Sequence, residues 1–399
     1  MSHNYYQQPG GEDQVFAAEA SLLERHGHTV VRMVRHNDQV RGMSSLRVAQ
    51  AALWNTETWR DVRNTIRTER IDLAHFHNTF PLISPAAYYA AKSLNVPVVQ
   101  SLHNYRLVCP GSLLFRDGKV CEKCLTASIP LAGVAHACYR GSRAQTGVVA
   151  GMLTMHRAIG TWSQAVDGYI ALTEFARNKF VQGGLPEGKI SVKPNFLSSD
   201  PGPGRGNGKF ALFVGRVTAD KGVLTLLDAW RKHATGLPLK IAGDGPLLSD
   251  VTDQAKSIAG VHILGPKTHA EVLELMKAAS VLIFPSLWYE GLPMTIVEAF
   301  ATALPVIASN LGSLSSLVQD GVTGAHFEPG NAASLAGVVK QLVARPEALE
   351  RMRVNARTAY ERHHSPDGNY AALMNIYEKA ARTASGSPAT SPAKYRMAN

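Results

Sequence analysis

The sequence predicts an α/β fold of two doubly wound, Rossmann-like domains that face a central cleft. Short β-branched runs alternate with apolar patterns of helical period along most of the chain, and one stretch rich in Pro, Gly and Ser interrupts this alternation. Such alternation is typical of parallel sheets covered by helices. Ligands of these sheets bind beyond the carboxyl ends of the strands, so we expect the functional residues in the cleft between the domains.

Each domain is predicted to contain its own set of alternating elements. In the first domain the patterns predict helices at 14–26 and 58–68 and strands at 29–35, 71–75 and 96–102. In the second domain they predict strands at 210–214, 239–242, 281–284 and 306–308 and helices at 221–232 and 295–302. Near the end of the chain, apolar residues recur with helical spacing from Tyr370 onward, which indicates an amphipathic helix.

The domain boundaries follow from these elements. We predict an N-terminal domain at 1–194, a linker at 195–209 and a second domain at 210–365. A helix at 366–382 is expected to pack across the domains, and the low-complexity segment at 383–399 is expected to be disordered.

Length and composition restrict the class of protein. The chain has 399 residues, of which 45% are hydrophobic and 18% charged, a balance typical of globular proteins. Lys and Arg exceed Asp and Glu by 41 − 31 = +10, which favours anionic partners. No motif is typical of nucleic-acid binding, so nucleic acid is not an expected partner. The sequence also lacks a long apolar run and an apolar signal core, so we expect a cytoplasmic protein.

Two carboxylates flank a Gly-Leu-Pro turn in the second domain. Glu290 is expected on the loop that follows a strand, and Glu298 about one turn into the next helix. The backbone amides near Met294 and Thr295 would face an anion, because the start of a helix carries unpaired N–H groups and a positive partial charge. Ionised carboxylates accept hydrogen bonds from sugar hydroxyls. Taken alone, the two glutamates would be ordinary solvated carboxylates at a helix end.

Two cations and a glycine-rich turn favour the binding role. Arg216 follows a predicted strand, and Lys221 comes five residues later at the expected start of a helix. A guanidinium and an ammonium at this spacing neutralise a diphosphate without a divalent metal. The turn that contains Gly243 and Gly245 follows another strand and would let a nucleotide approach the backbone closely.

Five sequence elements together resemble glycosyltransferase family 4, the retaining GT-B enzymes. In chain order they are PGGED, SLHNY, GRVTADKG, AGDGP and EGLPMTIVE, and the resemblance extends to about residue 382. It implies catalytic roles for His103, Glu290, Arg216 and Lys221. It implies a donor-binding set that comprises Gly10, Gly11, Gly215, Arg216, Lys221, Gly243, Gly245, Glu290, Gly291, Leu292, Met294, Thr295 and Glu298.

The resemblance also implies individual roles for these residues. Arg216 and Lys221 would hold the donor diphosphate, and Glu298 would bind the ribose hydroxyls. Glu290 would bind hydroxyls of the donor sugar, and His103 would lie near the transferred sugar. Many family members carry Asp after this histidine, where the chain has Asn104, which leaves the charge around the histidine open.

The implied reaction moves a sugar from a nucleoside-diphosphate sugar, with UDP or GDP as the carrier, to an acceptor hydroxyl with retention and without a cofactor. The expected acceptor is a lipid-linked or polysaccharide glycan of cell-envelope or exopolysaccharide synthesis, with peripheral contact to an anionic membrane at its inner face. Two alternatives stay open: a catalytically silent subunit that binds glycan or nucleotide, and a nucleotide-sugar epimerase. The Glu290 and Glu298 pair with Arg216 and Lys221 disfavours the epimerase.

The first strand departs from the family pattern. A GT-B sheet normally opens with an apolar strand of about five or six residues before the glycine loop, but only Met1, Ser2 and His3 precede Asn4 here. Because this strand is central in a doubly wound sheet, its loss would leave neighbouring strands unpaired. We therefore expect the first strand to be missing from this sequence and to be supplied by residues upstream of it.

All four cysteines cluster in one insert at 109–138, as Cys109, Cys121, Cys124 and Cys138. The central Cys-x2-Cys pair has the spacing of a zinc site, and four thiolates suit a structural tetrahedral zinc. Structural zinc is the favoured interpretation. The alternatives are unpaired or redox-active thiols, disulfides and iron–sulfur ligation.

A row of arginines marks the predicted helix at 58–68 and the residues after it, at Arg60, Arg63, Arg67 and Arg70. One interpretation is an interfacial surface that docks on anionic lipid. The favoured interpretation is a solvated helix face on a basic protein.

Overall fold

The computed structural model describes residues 1–7, 10–233 and 235–386, and its contacts divide the chain into two units. The first unit comprises Met1–Leu114, Cys121–Pro194 and the chain from Asp367, and the second comprises Phe115–Val120 and Asn195–Pro366. The division after Pro194 coincides with the boundary that the sequence predicts. The prediction of two Rossmann-like α/β domains is confirmed, because each unit contains a six-stranded parallel sheet covered by helices.

The sheet of the first unit has the strand order β2-β1-β3-β4-β7-β8. In chain order, its strands are β1 (Ser2–Tyr5), β2 (Met33–His36), β3 (Ala74–Phe76), β4 (Val98–Leu102), β7 (Gly168–Ala171) and β8 (Ile190–Val192). The strands β5 (Phe115–Arg116) and β6 (Lys119–Val120) form a separate hairpin, which belongs to the second unit. The helices are α1 (Gly11–Arg25), α2 (Ser45–Leu53), α3 (Thr56–Thr68), α4 (Ala86–Lys92), α5 (Leu131–Ala135), α6 (Arg143–Ala158) and α7 (Glu174–Gln182). Side-chain oxygens cap several of these helices and satisfy first-turn amides, at Ser44, Asn55, Ser142 and Thr173.

The expectation of a missing first strand was wrong. Strand β1 pairs with β2 along its whole length and with β3 at one residue. Its side chains are polar but buried and paired: His3 Nε2 lies 2.6 Å from Asp13 Oδ1, and Asn4 donates to Asn37 Oδ1 at 2.7 Å. A search for an apolar strand misses this segment, because its buried side chains are polar and have partners that only the fold supplies.

The sheet of the second unit has the strand order β11-β10-β9-β12-β13-β14. The strands are β9 (Ala211–Val214), β10 (Leu239–Ala242), β11 (Val261–Gly265), β12 (Val281–Phe284), β13 (Val306–Ser309) and β14 (Gly324–Phe327). The helices are α8 (Val223–Lys232), α9 (Leu248–Ala255), α10 (His269–Ala278), α11 (Met294–Ala301), α12 (Leu314–Leu317), α13 (Ala332–Val343) and α14 (Pro346–His363). The strand order reverses at β9, so the segments after β9 and β12 border the crevice where such sheets bind ligands.

The predicted linker at 195–209 lies against the second unit as an ordered strap. The amides of Gly204, Gly206 and Gly208 donate to the carbonyls of Thr302, Lys277 and Ala278 at 2.8 to 2.9 Å. A Cβ on Gly204 would lie 2.2 Å from Lys277 Cα, so only glycine permits this approach. These glycines bring two stretches of backbone together, whereas the sequence pattern indicates a flexible linker.

The last described helix, α15 (Pro366–Ser385), completes the core of the first unit. Its Leu373 and Ala380 are fully buried with Val99 and Ile170 of the sheet. The helix continues past the predicted end at residue 382, so the expectation of disorder was wrong for 383–385. Residues 387–399 of the predicted tail lie outside the described residues. Within the described part of the chain, no helix is both long enough and apolar enough to span a bilayer.

Candidate active site

Two histidines meet at the carboxyl ends of neighbouring strands in the first unit. His77 follows β3 and is buried, whereas His103 follows β4 and is partly exposed. Their atoms His77 Nδ1 and His103 Nε2 lie 3.0 Å apart, and the two rings stack with their centroids 5.1 Å apart. The sequence resemblance implies a catalytic role for His103, but no sequence pattern predicts its contact with His77.

A buried ion pair lies behind these histidines. Glu19 of α1 and Lys193, the residue after β8, are both buried, and Lys193 Nζ donates to Glu19 Oε1 at 2.5 Å. The other carboxylate oxygen, Glu19 Oε2, lies 3.4 Å from His77 Nε2. Asn369 of α15 accepts a second hydrogen bond from Lys193 at 2.8 Å.

Burial and neighbouring charges set the protonation of this cluster. Burial lowers the pKa of His103 to about 4, so the imidazole is neutral at neutral pH. Burial and the neighbouring His103 hold the pKa of His77 well below its ordinary range. Burial alone would raise the pKa of Glu19, but Lys193 and His75 outweigh it and lower that pKa. Glu19 is therefore a carboxylate beside two neutral imidazoles.

The donor atoms of Glu19, His75 and His77 lie within 4.8 Å of one another, as in a metal site. Their contacts indicate a hydrogen-bond network instead. His75 uses both ring nitrogens, with Tyr377 Oη at 2.8 Å and Ser101 Oγ at 2.9 Å. The ammonium of Lys193 already neutralises Glu19, so the charge that would attract a cation is compensated.

The predicted glycine loop leads into α1. Gly10 occupies the N-cap position and Gly11 is the first helical residue, and the amide of Gly10 donates to Asp13 Oδ2 at 2.8 Å. Among the described atoms, nothing lies within 4 Å of a Cβ built on Gly10, so the loop is open on that side.

Glu12 is a titratable group that the sequence analysis missed beside this loop. Burial raises its pKa to about 7, and Asn104 Nδ2 lies 3.5 Å from Glu12 Oε2. Asn104 thus stands between this carboxyl and His103, and its neutral amide adds no second negative charge.

In the second unit, Lys221 and Glu290 form an ion pair. Lys221 Nζ donates to Glu290 Oε1 at 2.6 Å, and Ser286 Oγ donates to the same oxygen at 2.7 Å. Glu290 is buried, and its backbone carbonyl accepts from Ser313 Oγ at 2.6 Å. Two residues that the sequence placed at the diphosphate and at the sugar are therefore in direct contact.

Arg216 is more exposed than its predicted partner Lys221. Its side chain is 61% exposed, and its guanidinium lies 4.0 Å from the Asp220 carboxylate. The amide of Leu287 donates to Asp220 O at 2.8 Å, which ties the segment after β12 to the segment after β9. Arg216 is thus exposed to solvent, while the turn that follows it is held by a backbone hydrogen bond.

Glu298 lies on α11 and is buried beside His269 of α10. His269 Nε2 and Glu298 Oε1 are 3.0 Å apart. Burial raises the pKa of Glu298, and the contact with His269 opposes this shift. The predicted segment Gly291, Leu292, Met294 and Thr295 forms the turn and the first residues of α11, whose first amides have no partner within the helix.

The predicted glycines of the second unit bring three turns together. Gly215 donates to Ala242 O at 3.2 Å. A Cβ on Gly243 would lie 1.9 Å from Gly215 O, and one on Gly245 would lie 2.6 Å from Val217 O. Gly222 is a further such position that the sequence analysis missed: its φ is +72°, and a Cβ there would meet Pro285 O at 1.9 Å. Bulkier residues would force these turns apart.

The four cysteines of the insert are neighbours without a disulfide between them. Burial raises the pKa of the Cys124 thiol to about 11, with smaller contributions from Cys109, Cys138 and Cys121. Among the described residues, no three of the four sulfur atoms lie within 4.8 Å of one another. The sulfur positions are therefore wider than those of a closed tetrahedral site.

Family models match both units of the chain. The model described as "Glycosyltransferase Family 4" matches residues 9–200, and the one described as "Glycosyl transferases group 1" matches residues 199–359. The chain belongs to glycosyltransferase family 4. The fold of this family 4 protein is GT-B, as the sequence resemblance predicted.

Solved structures share this fold at low sequence identity. HepE of Anabaena, crystallised in complex with UDP, superposes with a TM-score of 0.67 at 18% identity and covers 96% of this chain and 99% of its own. Sucrose-phosphate synthase of Thermosynechococcus elongatus gives a TM-score of 0.67 at 14% identity and covers 95% of this chain and 98% of its own.

Most curated relatives of this family 4 protein match only part of its chain. A glycogen synthase of Mycobacterium tuberculosis is 33% identical over 157 residues, which is 38% of this chain and 37% of that protein's length. An uncharacterized glycosyltransferase of Methanocaldococcus jannaschii is 24% identical over 355 residues, 88% of this chain and 85% of that protein. The chain thus matches little more than a third of the length of the first of these relatives.

Proposed function

We propose that this protein is a retaining glycosyltransferase that moves a sugar from a nucleoside-diphosphate sugar to an acceptor hydroxyl. The observation that carries the proposal is the ion pair between Lys221 Nζ and Glu290 Oε1, in the segments that follow β9 and β12. The pair places an ammonium beside Glu290, which shortly precedes α11, and the first amides of this helix favour an anion. This combination suits a diphosphate joined to a hydroxyl-rich group.

Each site residue then has a defined role. Lys221 and the more exposed Arg216 hold the diphosphate, and Glu298 accepts hydrogen bonds from the ribose hydroxyls. Glu290 accepts hydrogen bonds from hydroxyls of the donor sugar. His103, neutral at neutral pH, contacts the transferred sugar by hydrogen bonding and not as a cation.

The proposed chemical step needs no cofactor. The bond between the anomeric carbon and the diphosphate oxygen breaks, and the acceptor oxygen bonds to the same face of that carbon. The proton of the acceptor hydroxyl moves to the departing diphosphate oxygen. Arg216 and Lys221 stabilise the negative charge that develops on this leaving group, so positioning and electrostatics supply most of the catalysis.

The donor is proposed to be a UDP- or GDP-sugar. The fold similarity to HepE, which was crystallised with UDP and with UDP-glucose, supports UDP as the first carrier to test. The proposed acceptor is a lipid-linked or polysaccharide glycan of envelope or exopolysaccharide synthesis.

Peripheral contact with an anionic membrane, on the cytoplasmic side, is part of the proposal. The net charge of +10 favours an anionic surface. In the first unit, Leu46 of α2 is 80% exposed, and Ile129 and Leu131 are also exposed. Leu46 of α2 and Leu131 of α5 lie on helices that both pack against α6, and Ile129 precedes α5. Apolar groups on a basic protein are typical of interfacial contact.

The cysteine insert is proposed to hold a structural zinc. This proposal is supported by the Cys-x2-Cys spacing and by the effect of the other three thiols on the pKa of Cys124. Binding would draw the sulfur atoms closer and convert the thiols to thiolates, because a bound cation reverses the effect of like charges.

The first test of the proposed function is nucleotide binding. Calorimetric titration with UDP, GDP and ADP should show binding of one of the three by the wild-type protein, weakened at least tenfold in Glu298→Ala. Glu274→Ala is the matched control, because Glu274 is exposed on α10 and should leave the affinity unchanged. A folded wild-type protein that binds none of these nucleotides would contradict the proposal.

A further inference from the structure

Three side chains line up behind the partly exposed His103. His77 Nδ1 lies 3.0 Å from His103 Nε2, His77 Nε2 lies 3.4 Å from Glu19 Oε2, and Lys193 holds the other carboxylate oxygen at 2.5 Å. The chain therefore runs from a buried ammonium through a carboxylate and one imidazole to a second imidazole. None of its members except His103 belongs to a motif that the sequence analysis recognised.

The inner contact of this chain fixes the proton of His77. Glu19 Oε2 and His77 Nε2 are both buried and lie 3.4 Å apart, and neither atom has a hydrogen-bond partner among the described residues. An ionised carboxylate only accepts, so the neutral imidazole of His77 must carry its proton on Nε2. The opposite tautomer would set a lone pair against a carboxylate and leave both buried atoms unsatisfied.

The outer contact then fixes the proton of His103. With its proton on Nε2, His77 offers the lone pair of Nδ1 toward His103 Nε2. Only one proton fits between these two nitrogens, and it must come from His103. The remaining nitrogen, His103 Nδ1, is then an acceptor, and the described residues give it no hydrogen bond.

Burial, more than the charged surroundings, keeps both imidazoles neutral. Lys193 faces the cluster from the end of β8, Asp13 pairs with His3 from α1, and His75 lies beside His77. Burial lowers the pKa of His103 to about 4; Glu19 and Asp13 oppose this shift, whereas His3 and Lys193 add to it. Neither imidazole therefore gains a second proton near neutral pH.

We propose that Glu19 and His77 are positioning residues that hold His103 as the Nε2–H tautomer and present its Nδ1 as a hydrogen-bond acceptor for a donor-sugar hydroxyl. The sugar contact rests on the proposed function, whereas the tautomer does not. The arrangement resembles other buried relays in which a carboxylate sets an imidazole tautomer.

The test is 15N NMR of the imidazole nitrogens in ligand-free protein, which requires no activity. Resonances are assigned by comparison with His103→Asn and His77→Asn. We expect His103 to carry its proton on Nε2, with Nδ1 unprotonated, throughout pH 6 to 8. A wild-type His103 with its proton on Nδ1, or a doubly protonated one, would overturn the proposal.

Glu19→Gln tests the relay directly. The new amide donates to His77 Nε2 while its oxygen still accepts from Lys193, so His77 must move its proton to Nδ1. His103 should then switch to the Nδ1–H tautomer. An unchanged His103 tautomer in this folded variant would refute the relay. If the variant fails to fold, His77→Phe is used, which should leave His103 as a mixture of tautomers, and a retained pure Nε2–H form would be the contrary result.

Kinetic measurements on Glu19→Gln distinguish a failure of this proposal from a failure of the proposed function. If a donor is turned over, Glu19→Gln should lower kcat at least tenfold with a smaller change in donor KM, because the contacts of Lys221 and Glu298 are untouched. Failure to find any donor would overturn the proposed function and leave the NMR result standing.

Discussion

The proposed role of Glu298 in nucleotide binding requires a buried carboxylate, which lowers the stability of the fold. Glu298 is buried beside His269, and burial raises its pKa above the ordinary value against the opposing effect of this contact. The folded protein then holds this proton more tightly than the unfolded chain. Above the ordinary pKa, ionisation of Glu298 therefore lowers the stability of the fold, and below it this penalty is absent.

Replacing Glu298 with Gln should accordingly stabilise the ligand-free protein. We expect Tm at pH 7.5 to rise in Glu298→Gln, because the buried charge is removed, and the difference to disappear toward pH 4. Nucleotide affinity should fall at least tenfold, which corresponds to about 1.4 kcal/mol. Thermal unfolding across this pH range checks the first effect and calorimetry checks the second.

Glu274→Gln is the matched control for this prediction, because Glu274 is exposed on the neighbouring helix α10. It should change neither Tm nor affinity. A lower Tm for Glu298→Gln at pH 7.5, without pH dependence, would show that Glu298 is structural.

Gly243 is the residue whose lack of a side chain holds the glycine turns together. A Cβ there would lie 1.9 Å from Gly215 O. Gly243→Ala should destabilise the protein by about 3 kcal/mol, because backbone must move to relieve the contact. Gly147→Ala is the control: Gly147 lies inside α6 with nothing within 4 Å of its Cβ among the described atoms, and the change should stabilise by up to about 1 kcal/mol. Urea unfolding measures both, and equal effects would contradict the account.

At the scale of elements, the cysteine insert between β4 and α6 gives the sharpest prediction. We expect the purified protein to contain about one zinc ion per chain by mass spectrometry, and Cys121→Ser with Cys124→Ser to abolish this. Chelation of the metal should lower Tm in the wild type only. His77→Gln is the control that removes the Glu19, His75 and His77 cluster as a source of bound zinc, and it should retain the ion. Metal-free wild-type protein that is fully folded would refute the zinc site.

The elements also show where sequence patterns succeed and fail. Strand β12 consists of apolar residues, as is typical of buried parallel strands, and can therefore be predicted from the sequence. Strand β1 cannot be predicted in this way, because His3 and Asn4 are stabilised by partners that only the fold supplies. The strap at 195–209 has the composition of a linker, and its glycines reveal their packing role only when Lys277 lies against Gly204.

The same distinction applies to the site. Residues next to strand ends, such as His103 and Arg216, could be predicted because strand ends collect functional groups in this fold. Contacts between distant side chains could not be predicted. Glu19 contacts Lys193 at a separation of 174 residues in the sequence, and Glu298 contacts His269 at a separation of 29 residues. No local pattern encodes such contacts, because they depend on tertiary packing.

For the whole molecule, the net charge and the exposed apolar side chains predict reversible membrane binding. The protein should sediment with vesicles of phosphatidylcholine and phosphatidylglycerol at 70:30, and less with pure phosphatidylcholine or at high salt. Leu46→Glu should reduce binding several-fold, because it places a negative charge on the apolar surface of α2. Val354→Glu is the control, since Val354 is 61% exposed on α14 of the second unit. If both variants bind the vesicles equally well, Leu46 is not part of the membrane contact and the prediction is wrong.

Retaining transfer from a nucleotide sugar is tested most directly by NMR, which follows the anomeric proton of the transferred sugar. The protein is incubated with UDP-, GDP- and ADP-glucose, with water as the acceptor. We predict release of one nucleoside diphosphate and initial formation of α-glucose from the α-linked donor, slowed at least 100-fold in Glu290→Gln. Initial formation of β-glucose, or no turnover of a donor that binds to the folded protein, would contradict the account.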